Sequence, residues 1–274
     1  MLVSFAPERW TFRPYEVTER LEIVPDDLVR IAEDCEPTRT AALTIAYFGA
    51  EPSVAHIEAV RELQLQGFRV IEDETHRVLG ALTPLGDYGF ASLRKVLPVA
   101  DGAYLRGVKS NLTLRDRAHR GWEAMDLKRA GELTQARVVF AEATDSLESN
   151  EDLSPVRASA RTMRTIQELD YGYMRSQRRM NAQALQRSLF QNDRARLISA
   201  ADVPSHVVIQ VDDAMWTQSE LAKRGIFCPI HWPKPARMGS VPWHKGLLSL
   251  PIDHRYDAAD MDRVGATLAE VLAS

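Results

Sequence analysis

Cysteine is scarce in this chain: two residues in 274, Cys35 and Cys228, with no CxxC spacing. That excludes a disulfide framework and a cysteine-built structural zinc site, and no metal is expected. A reducing compartment is the default. An excess of basic charge is also absent. Lys plus Arg number 34 against 38 Asp plus Glu, a net charge of -4, whereas a mainly electrostatic nucleic-acid binder is usually basic. No uncharged apolar run approaches the ~20 residues of a membrane-spanning helix. The longest, Ala41 to Ala50, has the length of a core strand. The opening MLVSFAPERW lacks the basic-then-apolar order of a secretory signal. Internal repeats and low-complexity tracts are lacking as well. What remains is ordinary for a globular protein, 45% hydrophobic and 26% charged. The length allows one large domain or two modest ones, with a core that needs no staples. The expectation is a cytoplasmic globular protein with neither membrane nor nucleic acid as partner.

The first half alternates helix and strand signals. Asp26 to Asp34 reads as a short amphipathic helix with acids at its start. Ala41 to Phe48 is a buried apolar run that fits a strand, broken by Gly49. Pro52 and Ser53 open a helical pattern, with Val54, Ile57, Val60 and Leu63 on one side and Gly67 closing it. Phe68 to Ile71 is a further strand, ending in Glu72 and Asp73. Strand, helix, strand in this order is the pattern of a βαβ unit in a mostly parallel sheet. Ligands in such sheets gather at the carboxyl ends of strands, where Asp73 sits.

Gly86 to Gly102 reads as strand and loop, Arg115 to Leu147 as largely helical, and Val156 to Leu189 as a long helical stretch after a break at Pro155. The tail carries strand patterns at His206–Val211, Ile226–Ile230 and Leu247–Leu250, a short helix at Gln218–Lys223 and a closing helix at Ala258–Leu272. It reads as a smaller α+β domain behind a helical connector. The predicted boundary lies near Pro155, dividing the chain into 1–155 and 156–274.

Three features lie close together: Asp73 in VIEDETH, His76 three residues on, and Ser92 with Lys95 in SLRK. Singly, each stays open. A carboxylate at a strand end is often a cap or loop residue, a lone histidine is often structural, and most lysines are solvated. SxxK also opens the serine β-lactamase signature, but its SDN and KTG partners are absent. In this order, however, VIEDETHRVLG followed by GDYGFASLRKVLPVADG resembles the fold-type I pyridoxal 5'-phosphate (PLP) enzymes, and among them the DegT/DnrJ/EryC1/StrS sugar aminotransferase family. RGIFCPIHWP and LLSLPIDHRYDAADMDRVGATLAEVL look like that family's small C-terminal domain, and MRSQRRMNAQAL like the helix leading into it. The resemblance extends from about Tyr15 to the end.

It implies an α/β fold, with a mostly parallel PLP-binding large domain and a smaller α+β domain. It implies PLP as cofactor, Lys95 as the Schiff-base lysine and catalytic acid and base, and Asp73 as partner of the pyridinium nitrogen. His76 would face the ring's phenolic oxygen, and Ser92 would help hold the phosphate. PLP is an electron sink for which the protein supplies binding, orientation and electrostatics. A lysine near its usual pKa of ~10.4 is protonated at neutral pH, and burial or cationic surroundings lower it enough to act as nucleophile and base. Arg94 is either a phosphate or carboxylate contact or a surface salt bridge. Tyr47, Phe48 and Gly49 either face the cofactor or fill core; His231 and Trp232 either line a substrate entrance or pack a turn. A carboxylate-binding role is not carried over to Arg255. Ala103 stands where many relatives have a second glycine.

Relatives carry a front segment, with a glycine-and-threonine phosphate turn and an aromatic that stacks on PLP, for which no counterpart precedes Asp73. At ~30 residues per βα unit, at least two units are expected to be missing. Three explanations follow: a degenerate relative, a second polypeptide supplying the front, or a compact variant completed across a homodimer. The reading is a PLP-dependent aminotransferase-like enzyme acting on a small keto or amino substrate, a sugar or biosynthetic intermediate, with an amino donor. The alternative is a non-catalytic or partner-complemented subunit. Exposed strand edges predict an obligate oligomer.

Overall fold

The computed structural model describes residues 10–80, 83–108, 112–116, 120–148, 155–189, 193–198, 201–232, 234 and 243–274, with the backbone alone for 144–148. The first elements are α1 (Pro25–Glu33), β1 (Ala41–Ile45), α2 (Val54–Leu65), β2 (Arg69–Asp73), β3 (Tyr88–Ser92) and β4 (Ala103–Arg106). Then come α3 (Gly121–Arg129), α4 (Leu133–Glu148), α5 (Ala160–Glu168), α6 (Tyr171–Leu189) and β5 (Arg196–Leu197). The tail holds β6 (Val207–Gln210), α7 (Ala214–Lys223), β7 (Ile230–His231), β8 (Leu247–Leu250) and α8 (Ala258–Ala273). Among the described residues no helix is long and apolar enough to cross a membrane. Packing divides the chain into two compact units. One joins Tyr15–Asp87 to Asp170–Ser274; the other is Tyr88–Leu169 with the described residues before Tyr15.

The first unit opens on the expected βαβ element. β1 and β2 pair in parallel, from Ala41 opposite Arg69 to Ile45 opposite Asp73. Between them, α2 starts where the Ser53 hydroxyl accepts the His56 N–H at 3.2 Å, a cap that occupies an otherwise orphaned donor. Ala59, Val60 and Leu63 of α2 pack with Ile23 and Leu28 and with Phe68 and Val70. α1 has Pro25 in its first turn and Asp26 and Asp27 beside it, where a missing N–H costs nothing and negative charge is favoured.

β1 is shorter than its apolar run predicts. It stops at Ile45, and Tyr47–Gly49 forms a 3-10 turn in which Phe48 has φ +55°. A left-handed backbone is costly for a bulky side chain. The compensation is burial: Phe48 has 0% exposure and packs with Leu21, Ile198, Val208 and Leu247. An apolar run can therefore bend and still be core throughout.

The C-terminal part of this unit is a four-stranded sheet, ordered β5-β6-β8-β7, with antiparallel pairs. Against it lie α6 and α8, through Leu185, Leu189, Val264 and Leu268 among others. α8 carries a capping box between Asp257 and Asp260. α7 begins at Ala214, ahead of the predicted Gln218, because the Asp213 carboxylate caps it by accepting the Trp216 N–H at 2.9 Å. The strand predicted over Ile226–Ile230 shrinks to Ile230–His231.

In the second unit β3 and β4 pair antiparallel, from Gly89 opposite Arg106 to Ser92 opposite Ala103. α3 and α4 occupy the predicted helical stretch. The start of α5 is fastened by Trp122, whose indole N–H lies 3.1 Å from both Ser159 Oγ and Thr162 Oγ1. The Arg161 guanidinium sits 4.1 Å over the same indole, a cation–π contact, and forks onto Asp126 at 2.6 and 2.7 Å. The long helical stretch predicted from Val156 to Leu189 holds two helices, α5 and α6. Leu169 is extended, with ψ 133°, and the Asp170 carboxylate accepts the Tyr173 N–H at 2.9 Å to restart the chain as α6.

Candidate active site

Asp73 and His76 share one tight turn at the carboxyl end of β2. The Asp73 carboxylate is 3% exposed. Its Oδ1 accepts the Thr75 N–H at 3.0 Å, and its carbonyl accepts the Ala46 N–H at 3.0 Å, tying the ends of β1 and β2 together. Burial pushes the Asp73 carboxyl above the usual carboxylate range, against the opposing effect of the Thr75 hydrogen bonds. The Tyr47 hydroxyl, nearby, is pushed up to about 12 by burial and then by the Asp73 charge.

His76 is oriented by the neighbouring turn. The Phe48 N–H donates to its Nδ1 at 3.2 Å. Nδ1 is therefore an acceptor, so the neutral ring carries its proton on Nε2. Gly49 makes this approach feasible: its φ is +90°, and a Cβ there would stand 2.9 Å from the His76 carbonyl oxygen and 3.3 Å from that of Val203.

Around Phe48 gathers a cluster that the sequence did not announce. His76 stacks on one side (5.2 Å, 18°) and Trp232 on another (5.5 Å, 18°), while His231 and His206 meet the ring edge-on at 5.0 and 6.4 Å. Tyr47 leans on Trp232 at 5.5 Å. Of the two open readings for Tyr47–Gly49, core is the one realised at Phe48. His231 and Trp232 pack into the same cluster, and His231 Nε2 lies 2.6 Å from the Ser249 hydroxyl. Among the described residues no cluster of His, Cys, Asp and Glu is arranged to hold a metal ion.

His206 is pushed down to about 3 by burial first, then by His76, Arg178 and His231. A histidine whose folded-state pKa is depressed costs nothing above its unfolded pKa near 6.5, and below it the unfolded chain binds the extra proton. Stability is then expected to fall by about 1.4 kcal/mol per pH unit for this one group as pH drops from 6 to 4. His206→Asn should flatten the acid limb of a urea-midpoint-against-pH curve by about one proton. An unchanged limb would show that His206 does not carry it.

Arg178 of α6, 4% exposed, donates to the Ser205 carbonyl at 2.9 Å and to Asp253 at 3.1 Å. Asn181 reaches the carbonyls of Asp253 and Tyr256, each at 3.0 Å. The MRSQRRMNAQAL stretch thus anchors the loop before α8. Arg255 lies in that loop, exposed, with its Nε 2.7 Å from Asp253.

Ser92 and Lys95 belong to the other unit and also share a turn. Ser92 ends β3, half-buried, and a 3-10 turn follows over Leu93–Lys95, with Arg94 and Lys95 exposed. Leu93 is buried and its N–H donates to the Gly102 carbonyl at 3.0 Å. Gly102 has φ +98°, and a Cβ there would meet the Thr162 methyl at 3.1 Å. Asp101 accepts the Ser159 N–H at 3.0 Å. The segment after the lysine is thereby pinned to the start of α5.

Each turn, taken by itself, holds groups whose chemistry suits part of a phosphorylated pyridine aldehyde. A buried carboxylate of raised pKa gains from a cationic N–H partner. An imidazole that presents Nε2–H can donate to a phenolate oxygen, and a hydroxyl can donate to phosphate. The burial expected around the Lys95 amine is not found, since that residue is exposed, and a primary amine reacts with an aldehyde in its neutral form.

No family model matches the sequence, and no curated protein does. Solved structures do match. A DegT DnrJ EryC1 StrS aminotransferase from Brucella abortus aligns with TM-score 0.60 and 15% identity over 95% of this chain and 73% of that one. PseC of Helicobacter pylori, an aminotransferase involved in the biosynthesis of pseudoaminic acid, aligns with TM-score 0.63 and 15% identity over 97% and 74%. DesV of S. venezuelae, solved in complex with a ketimine intermediate, gives 0.62 and 18% over 95% and 72%. Nearly the whole chain superposes, so it has the α/β fold of the DegT/DnrJ/EryC1/StrS aminotransferases.

Proposed function

We propose that this chain is a PLP-dependent, aminotransferase-like enzyme. Residues 1–155 would serve as its cofactor-binding part and 156–274 as connector and small domain. The observation that carries the reading is the superposition of almost the entire chain on aminotransferases. The buried carboxylate at the end of β2 supports it. The substrate class is a small ketone or amino compound, such as a keto-sugar, with a separate amino donor.

Bound PLP supplies the electron sink. Asp73 would hold the pyridine N–H and so keep positive charge on the ring. His76 Nε2–H would face the phenolic oxygen, with the tautomer set by the Phe48 amide. Ser92 would help hold the phosphate. Lys95 Nζ would be the amine that holds the cofactor and the base and acid that moves a proton at the substrate carbon. An oligomer, either a homodimer or a pair with a partner chain, belongs to this reading; a monodisperse monomer in sedimentation velocity would count against it.

The test is a PLP titration followed by absorbance, borohydride reduction and peptide mapping. One equivalent trapped on Lys95 is expected. Label scattered over surface lysines, or none, would replace this reading with a non-catalytic or partner-complemented subunit.

A further inference from the structure

The turn carrying Asp73 and His76 is bracketed by two charges that meet. Glu72 precedes it and Arg77 closes it, with side chains 4% and 1% exposed. Arg77 Nη2 donates to Glu72 Oε1 at 2.5 Å. The second carboxylate oxygen of Glu72 accepts the N–H groups of Leu85 and Gly86 at 3.2 and 3.4 Å. One carboxylate therefore holds both the far end of the turn and the chain returning toward Asp87. Asp87 accepts the Val70 N–H of β2 at 2.8 Å, closing the loop onto the strand. Successive strand residues point to opposite faces, so Glu72 grips from one side of β2 while Asp73 projects from the other.

Such a pair is a poor source of stability. Taking both charges out of water offsets most of their attraction, and well-packed apolar replacements are often neutral or stabilising. What a buried, hydrogen-bonded pair does add is a single geometry. The turn's backbone ties include Thr75 N–H to the Asp73 carboxylate and Arg77 N–H to the Glu74 carbonyl at 2.8 Å, and the ion pair clamps its two ends across them. We infer that Glu72 and Arg77 are positioning residues, presetting the Asp73 carboxylate and the His76 ring for the cofactor. This rests on the function proposed above. The pair touches no reacting atom; it acts through the turn.

The test compares the wild type with Glu72→Gln/Arg77→Met, which removes both charges while leaving an amide oxygen for the Leu85 and Gly86 N–H groups, and with Arg77→Lys, which keeps the charge without the planar fork. Three readouts are needed: the urea midpoint, amide exchange of the 73–77 peptide without cofactor, and PLP affinity from the absorbance titration. The double variant is expected to keep a near-wild-type midpoint while exchange in the turn accelerates and PLP binds at least about tenfold more weakly, the lower end for loss of an outer-shell partner. Arg77→Lys should move the last two readouts in the same direction by less. If the double variant folds and both stay within about twofold of wild type, the pair is core filler and the inference falls. If it does not fold, Arg77→Lys decides by the same two readouts. A wild type that binds no PLP would overturn the functional proposal alone, because amide exchange still decides whether the pair sets the turn.

Discussion

Lys95→Ala is expected to abolish borohydride-trappable PLP and to lower amino transfer by about 10³-fold, within the 10²–10⁴ that a positioned acid–base group contributes. On the proposed function two losses would coincide: the covalent hold on the cofactor and the group that moves the proton. Lys95→Arg keeps a cation but has no amine that deprotonates at working pH, so it should be as inactive as alanine. The protein should fold normally in both, since the Lys95 side chain is exposed and its turn is fixed by Leu93 and Gly102. Unfolding midpoints near wild type are the control. A variant that lost its fold along with its activity would place Lys95 in the structure and not in the chemistry.

The largest stability effect is expected at Phe48. Its ring has 0% exposure and touches the end of β2 through His76 and the C-terminal sheet through Val208 and Leu247. Phe48→Ala should cost about 3–5 kcal/mol, the range for a buried aromatic, a large part of the 5–15 kcal/mol typical of a whole domain. Phe48→Gly carries a second expectation. At φ +55° alanine retains the left-handed penalty, whereas glycine escapes about 1 kcal/mol of it. Glycine should therefore match or exceed alanine here, reversing their usual order in urea unfolding. Either variant leaves the Phe48 N–H in place, so the His76 tautomer should persist while its stacking partner is lost.

The parts of the fold that were legible in the sequence were those set by local rules. Ser53, Gly67 and the apolar spacing between them mark α2 because caps and period are short-range properties. Leu247–Leu250 reads as a strand for the same reason. The carboxylate after β2 and the SLRK segment were visible as motifs, and the structure puts each pair on a turn of its own. What did not show was set by distant partners. Arg77 lies in a polar loop segment and is fully buried only because Glu72 meets it. His206 sits at the edge of an apolar strand, with nothing nearby in sequence to indicate the rings of Phe48 and His76. Phe48 belongs to a continuous apolar run that fits a buried strand; the residues that cover it after the bend, Ile198, Val208 and Leu247, lie far along the chain.

That dependence also bears on synthesis. The unit containing β1 and β2 is discontinuous, with residues 88–169 interposed between its halves. Leaving the ribosome, the βαβ element must wait for α6 and the C-terminal sheet before Phe48 is covered. At 5–20 residues per second, the delay is on the order of ten seconds. During that interval a strained aromatic and the open faces of β1 and β2 are available to chaperones or to another nascent chain. Ribosome-bound intermediates stalled before residue 200 should therefore be protease-sensitive around Tyr47–Gly49, and those stalled after release of α8 should not.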